Sequence, residues 1–233
     1  VFIEAGPGYT SCFDLLNSGR LLQANSNLSG WNGSMKKYAH VDEAINSIQE
    51  IKNVIVPDKP SYHIIRTQLE PHQEQTMLNF KLVFIDNNPE YECEFIQFDG
   101  EYLKLKQDIT DINEILSVEP KVHTFIFIKE MLRCAKRIVK THLGVLYERI
   151  PIWKIDDGCI IQGLLGRSTG YDDCGKHYCF TNLDTVYRYQ ELLTSDFEAT
   201  VEWNSKTSRF TKGKLIVNDS FSDGGFYDGT KQM

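Results

Sequence analysis

Between Gly158 and Tyr171 the chain reads Gly-Cys-Ile-Ile-Gln-Gly-Leu-Leu-Gly-Arg-Ser-Thr-Gly-Tyr. Within this apolar run Gln162 and Arg167 are the two side chains best suited to meet an anion. Arginine presents a planar fork of donors that matches the oxygens of a phosphate. Gly163, Gly166 and Gly170 surround them. Each glycine inside a helix costs roughly 1 kcal/mol relative to alanine, so three in one run imply that another group has to come close to the backbone there. Gln162, Gly166 and Arg167 are therefore the candidate functional residues of this run, with Gly163, Gly166 and Gly170 the candidates to line whatever group approaches.

A second set of cations lies upstream. Lys129, Arg133, Lys136, Arg137 and Lys140 recur every three or four residues, a spacing that puts them on one stripe of a helix. Such a stripe is either a solvated face or a track for a phosphate backbone. Arg66, at the end of a candidate strand, joins this nucleic-acid-binding set. Metal chemistry has weaker support. Cys159, Cys174, His177 and Cys179 lack the paired spacing of structural zinc sites, and Asp156-Asp157 and Asp172-Asp173 read as loop carboxylates and helix caps. No metal site is expected.

Alternating elements have to position these residues. Strands are expected at Tyr62–Thr67, Cys93–Asp99, Thr124–Ile128, Leu143–Tyr147 and His177–Thr181. Helices are expected over Val41–Ile51, Pro71–Phe84, Ile109–Val118 (capped by Asp108 or Thr110), Lys129–His142, the glycine-rich run, and Leu183–Leu193 capped by Asn182. Strands and helices in alternation imply βαβ crossovers and a mainly parallel sheet with helices on both faces, and ligands of such sheets bind at the carboxyl ends of the strands. Residues 1–58 read as an irregular N-terminal arm or linker, with Trp31 and Tyr38 pinning it to the body. Residues 59–196 form the α/β domain. Residues 197–233 form a small C-terminal β appendage, with strands expected at Ala199–Trp203 and Lys214–Val217 and a mobile tail beyond.

Hydrophobic residues make up 41% of the 233 and charged residues 24%, which is ordinary globular composition. No apolar run is long enough to span a membrane. The net charge of −7 argues against a uniformly basic surface and leaves room for a local basic groove. Six dispersed cysteines suit a reducing, intracellular compartment. There is no Gly-x-x-x-x-Gly-Lys-Ser/Thr loop, no Gly-x-Gly-x-x-Gly after a strand and no Gly-x-Ser-x-Gly elbow, so neither a P-loop, nor a dinucleotide fingerprint, nor a hydrolase nucleophile is present.

A buried strand ending in Lys129, a basic helix, a further strand, then Gln162 and Gly166-Arg167, resembles the second, C-terminal RecA-like domain of superfamily 2 helicases and translocases. It is closest in kind to divergent helicase-like proteins of phages and large DNA viruses. Thr124–Lys129 falls where that family has its fourth motif and Gln162–Gly170 where it has its sixth. The resemblance implies that Arg167 acts as an arginine finger on the γ-phosphate of ATP, that Gln162 contacts the nucleotide, and that the strand ends and basic helix face a nucleic acid, DNA ahead of RNA. ATP and Mg2+ would then be bound only together with an N-terminal RecA-like domain in cis, expected upstream of Val1. The setting implied is the cytoplasm or, for a virus, the replication site or virion. The chain departs from the family pattern in two places. Gly166 is four residues after Gln162 rather than three, and Gly170 stands where a second arginine is usual. That departure keeps a catalytically inert RecA-like module, binding nucleic acid or protein, as the alternative. A doubly wound small-molecule enzyme with its site near Arg66, Lys129 and Asp172 is the third reading.

Overall fold

The computed structural model describes residues 6–33, 38–68, 71–87, 91–98, 111–129, 137–152, 155–173, 175–197, 201–204, 207–211 and 214–218. Six strands form one all-parallel sheet: β1 (Leu21–Gln23), β2 (Tyr62–Arg66), β3 (Cys93–Phe98), β4 (His123–Ile128), β5 (Leu143–Tyr147) and β6 (Tyr178–Thr181), in the spatial order β1-β6-β5-β2-β4-β3. With helices on both faces this is an α/β fold of the RecA-like type.

The two-residue period of the strands sorts the core into two layers. Ile64, Ile126, Ile128, Leu146 and Cys179 point to one face. There they meet α1 (Cys12–Asn17), α4 (Ile112–Leu116), α6 (Leu164–Ser168) and α7 (Leu183–Thr194) through Leu15, Ile112, Leu116, Leu164, Leu165 and Val186. Ile65, Phe125, Phe127, Val145, Tyr147 and Phe180 point to the other face. There they meet α2 (Val41–Asn53) and α3 (His72–Lys81), which runs on into a turn of wider π-helix over Leu82–Asp86. Every residue of β4 is buried: the apolar run Phe125–Ile128 suits a strand covered on both faces, and His123 and Thr124 are buried with it.

The N-terminal segment expected as an arm supplies α1, the edge strand β1 and α2. β1 pairs with β6, Leu21 opposite Cys179. Its following loop is held by Trp31, stacked on His72 with ring centroids 4.1 Å apart, and by Tyr38 edge-on to the same ring. The cap of α4 is Asp111, in a reciprocal box with Glu114, and not the expected Asp108 or Thr110, which lie outside the described residues. Asn182 caps α7 as expected, its side chain accepting the Thr185 N–H at 2.9 Å.

Three further expectations need correction. The basic helix does not run to His142: residues 137–140 are non-helical, and Arg133 and Lys136 lie outside the described residues. The glycine-rich run is two short helices, α5 (Asp157–Gln162) and α6, broken at Gly163, because the backbone there leaves the helical region with ψ −137°. In the C-terminal appendage the antiparallel pair is β7 (Thr207–Thr211) with β8 (Lys214–Asn218), whereas residues 201–204 are not a strand. The Asn204 carbonyl instead accepts the Asp157 backbone N–H, its own N–H donates to the Asp157 carboxylate, and Trp203 is buried.

Candidate functional site

The chain winds in two directions. From β2 it passes by α3, on one face, to the far edge strand β3, and returns by α4, on the other face, to β4 beside β2. It then crosses to β5 on the opposite side of β2 and moves away by α5 and α6 to β6. The direction of winding therefore reverses at the β2–β5 pair. In open α/β sheets the crevice at the carboxyl ends of such a pair is where ligands bind.

Arg66 ends β2 and Glu148 follows β5. At this crevice the Arg66 guanidinium donates through Nη1 to Glu148 Oε2 at 3.1 Å and to Oε1 at 3.3 Å. Both side chains are largely buried. Glu148 Oε2 also accepts the Leu164 backbone N–H at 2.9 Å, and Oε1 accepts the Arg149 N–H at 3.2 Å. A carboxylate removed from water needs this many donors. Glu148 thus ties the break between α5 and α6 to the end of β2.

Gly163 is what lets the carboxylate in. A Cβ at this position would lie 2.5 Å from Glu148 Oε2 and 2.7 Å from the Cys159 carbonyl oxygen. Arg167, one turn further on, is 5% exposed. Its Nη1 donates to the Gly163 carbonyl at 2.7 Å and to the Gln162 carbonyl. It satisfies the carbonyls that a broken helix leaves over and is folded back against its own chain. The Gln162 side chain is exposed. At Gly166 a Cβ would lie 2.9 Å from the Ile161 carbonyl oxygen. Gly170, at φ +133°, forms an antiparallel bridge with Thr10 and leaves room for Asp172. All three glycines are places of close approach, and the groups that approach them belong to this chain.

No family model, curated protein or solved structure matches the chain. What the arrangement can do rests on its own geometry.

The expected cationic residues separate. Lys129, half-buried, stands at the end of β4. Arg137 is exposed, with its guanidinium 3.7 Å from the Asp172 carboxylate. Lys140 turns inward instead of facing outward. Its ammonium is buried and donates to Asp172 Oδ1 at 2.6 Å and to the Thr169 carbonyl at 2.9 Å. Burial works against the Asp172 carboxylate, but the Lys140 ammonium outweighs it and holds the carboxyl below its usual range. Asp173 takes a two-point bond from Arg20 at 2.9 and 2.6 Å, which pulls its carboxyl far below that range. His177, buried beside Asp173 at 3.5 Å, is driven down to about 4 by burial.

Asp156 caps α5 through the Cys159 N–H, and Asp157 is buried against Thr185, Arg188 and Asn204. The paired aspartates are therefore tied up in caps and ion pairs. Cys12, Cys93, Cys159 and Cys179 are free thiols, and Cys174 lies outside the described residues.

Beside Arg66 a recess is lined by Thr67, Gln68, Thr76, Ser29, Tyr147 and Arg149, among others, with a volume of about 10 Å³. That is room for one water, so this recess encloses no nucleotide. Among the described residues no helix is long and apolar enough to cross a membrane. Sequence reasoning missed Glu148. The signal was available: a carboxylate directly after an apolar strand is a buried strand end with a charge to satisfy.

Proposed function

We propose that this chain is the C-terminal half of an ATP-dependent nucleic-acid helicase or translocase, with Arg167 as its finger. The observation that supports this most directly is the cluster at the winding reversal. The Gln162–Gly170 segment is bound through Glu148 to Arg66 at the carboxyl ends of β2 and β5, where parallel sheets receive their ligands. ATP and Mg2+ would be held by a P-loop domain in cis, and Arg167 would complete that site from across a cleft. A guanidinium so placed stabilises the charge that develops on the transferred phosphoryl group. To reach it, Arg167 has to leave the Gln162 and Gly163 carbonyls. Lys129 and Arg137 would meet the nucleic-acid backbone, DNA in the first instance, in an intracellular setting. Arg66 and Lys140 would hold the site together from within.

The test is Arg167→Ala in a protein that includes the N-terminal RecA-like domain. Nucleic-acid-stimulated ATP hydrolysis should fall by ~10³–10⁵-fold with the circular dichroism spectrum unchanged. An undiminished rate overturns the reading.

One observation favours an inert module as the second reading. Arg167 is buried and bonded to its own backbone. An inert module would bind nucleic acid with a steep salt dependence and show no turnover in any chain that carries the P-loop domain.

A further inference from the structure

The loop that follows β1 meets the start of α2 in a relay of three side chains. Glu43 Oε1 lies 2.8 Å from His40 Nδ1, and the Asn32 side-chain nitrogen Nδ2 is hydrogen-bonded to His40 Nε2. The two ends fix where the protons are. A carboxylate only accepts, so His40 Nδ1 carries the hydrogen. An amide nitrogen only donates, so His40 Nε2 presents its lone pair. Asn32 is exposed and His40 partly so, which leaves the relay open to water.

The backbone holds this relay in place. The His40 N–H donates to the Gly30 carbonyl at 3.0 Å. Gly30, at φ +77°, sits so close to α2 that a Cβ there would lie 2.7 Å from the Val41 nitrogen. Trp31, between Gly30 and Asn32, is fixed by its stack on His72.

Asn32 is followed by Gly33, the one Asn-Gly pair in the chain. Gly33 has φ +88°, a conformation that favours glycine, so the turn itself imposes the pair. An asparagine before glycine is the side-chain amide most open to attack by its own backbone, because no side chain shields the next nitrogen. The step is limited by the departure of Nδ2, which leaves only when it gains a proton. His40 is bonded to that atom, and Glu43 orients His40. A nucleophile, an acid–base group at the reacting amide and a third group that orients it are the parts such a displacement needs.

We propose that Asn32 is a self-processing site, at which the Gly33 backbone nitrogen displaces ammonia with His40 as the acid–base group. The bond from Gly33 N to Asn32 Cγ forms, and the Cγ–Nδ2 bond breaks. Gly33 N gives up one proton, which reaches His40 Nε2 through water. His40 delivers a proton to Nδ2, which leaves as ammonia. Water then opens the cyclic imide to an aspartate or isoaspartate at position 32. Nothing is oxidised or reduced. Glu43 offsets the positive charge that His40 carries between the two transfers. The product adds a carboxylate to a loop whose earlier residues, Asn27 and Ser29, line the recess beside Arg66. This site is separate from Arg167 and stands or falls apart from the proposed motor function.

The test is the full chain aged at neutral pH and physiological temperature, with position 32 followed by peptide mass spectrometry and ammonia by its release. Conversion should run about tenfold faster in the folded chain than in the same chain unfolded in urea, against the ~10²–10⁴ that a placed acid–base group can supply. His40→Ala should lose that advantage. Free imidazole should restore it in this variant and leave the wild type unchanged. Glu43→Leu should move the imidazole nitrogen signals of His40 toward the Nε2–H tautomer in NMR and slow conversion in step. A folded wild type that converts no faster than the unfolded chain overturns the proposal, since the relay then only fastens a loop. So does a His40→Ala chain that converts at the wild-type rate, or imidazole that speeds both chains alike. If His40→Ala does not fold, the contrast between folded and unfolded wild type decides the matter.

Discussion

Glu148 has four donor contacts on its two oxygens, and its removal is the sharpest test at the scale of one side chain. Glu148→Ala takes away the carboxylate partner of a largely buried arginine and the acceptor of the Leu164 N–H. Unfolding in urea should show a loss of about 3–5 kcal/mol, the usual cost of breaking a buried pair from one side. Gly163→Ala acts on the same contact by crowding. Two of the new methyl's three nearest neighbours are backbone carbonyl oxygens, which cannot simply rotate away, and a loss of about 1–3 kcal/mol is expected. A Gly163→Ala chain as stable as the wild type would contradict the close approach. The acid response belongs to this scale as well. His177 is held down to about 4 from an ordinary 6.5 by burial, and burial also lowers His63 and His123. Between those two values the unfolded chain takes up a proton at position 177 that the folded chain refuses, so stability falls as pH falls through that window. Each such histidine contributes a slope of about 1.4 kcal/mol per pH unit. Asp173, held low by Arg20, adds stability above the ordinary carboxylate range that is lost only in stronger acid. Urea midpoints against pH should therefore fall in two stages, and His177→Gln should flatten the first.

Among the elements, legibility followed pattern. β2, β3, β4, β5 and β6 were readable because apolar runs of strand length alternate with helical spacing, and Asn182 announced its own cap. β1 was not readable. Three residues, Leu21 to Gln23, carry no period, and only pairing with β6 makes them a strand. The break at Gly163 was half readable. The glycines signalled close approach, but that the approaching group is Glu148 follows from strand order, which local sequence does not carry. The end of the basic stripe was misread for a similar reason. Lys140 has helical spacing from Arg137, yet its ammonium is claimed by Asp172, a partner in another element. Two variants separate the stripe's possible roles. Lys140→Met should cost about 1.5–3 kcal/mol of stability, for charge-assisted bonds lost in a buried place, and leave the salt dependence of nucleic-acid binding unchanged. Arg137→Ala should leave stability within about 0.5 kcal/mol and lower the salt slope by about one. If Lys140→Met lowers the slope and spares stability, the assignment of the two side chains is reversed.

At the scale of the molecule the two edges of the sheet are chemically unlike. The carboxyl edge gathers Arg66, Glu148 and the Arg167 segment, while the amino edge gathers the His63–His123 pair and the ion pairs that fasten residues 169–177. The order of the strands also carries a consequence in time. Leu21 pairs with Cys179, so β1, the earliest of this sheet's six strands in the chain, completes its hydrogen bonds only after nearly the whole sheet has been made. At ~5–20 residues per second that wait is on the order of ten seconds, during which β1 is an unpaired apolar segment. Chaperone capture during synthesis should therefore concentrate on the nascent chain before β6 emerges and end soon after it does.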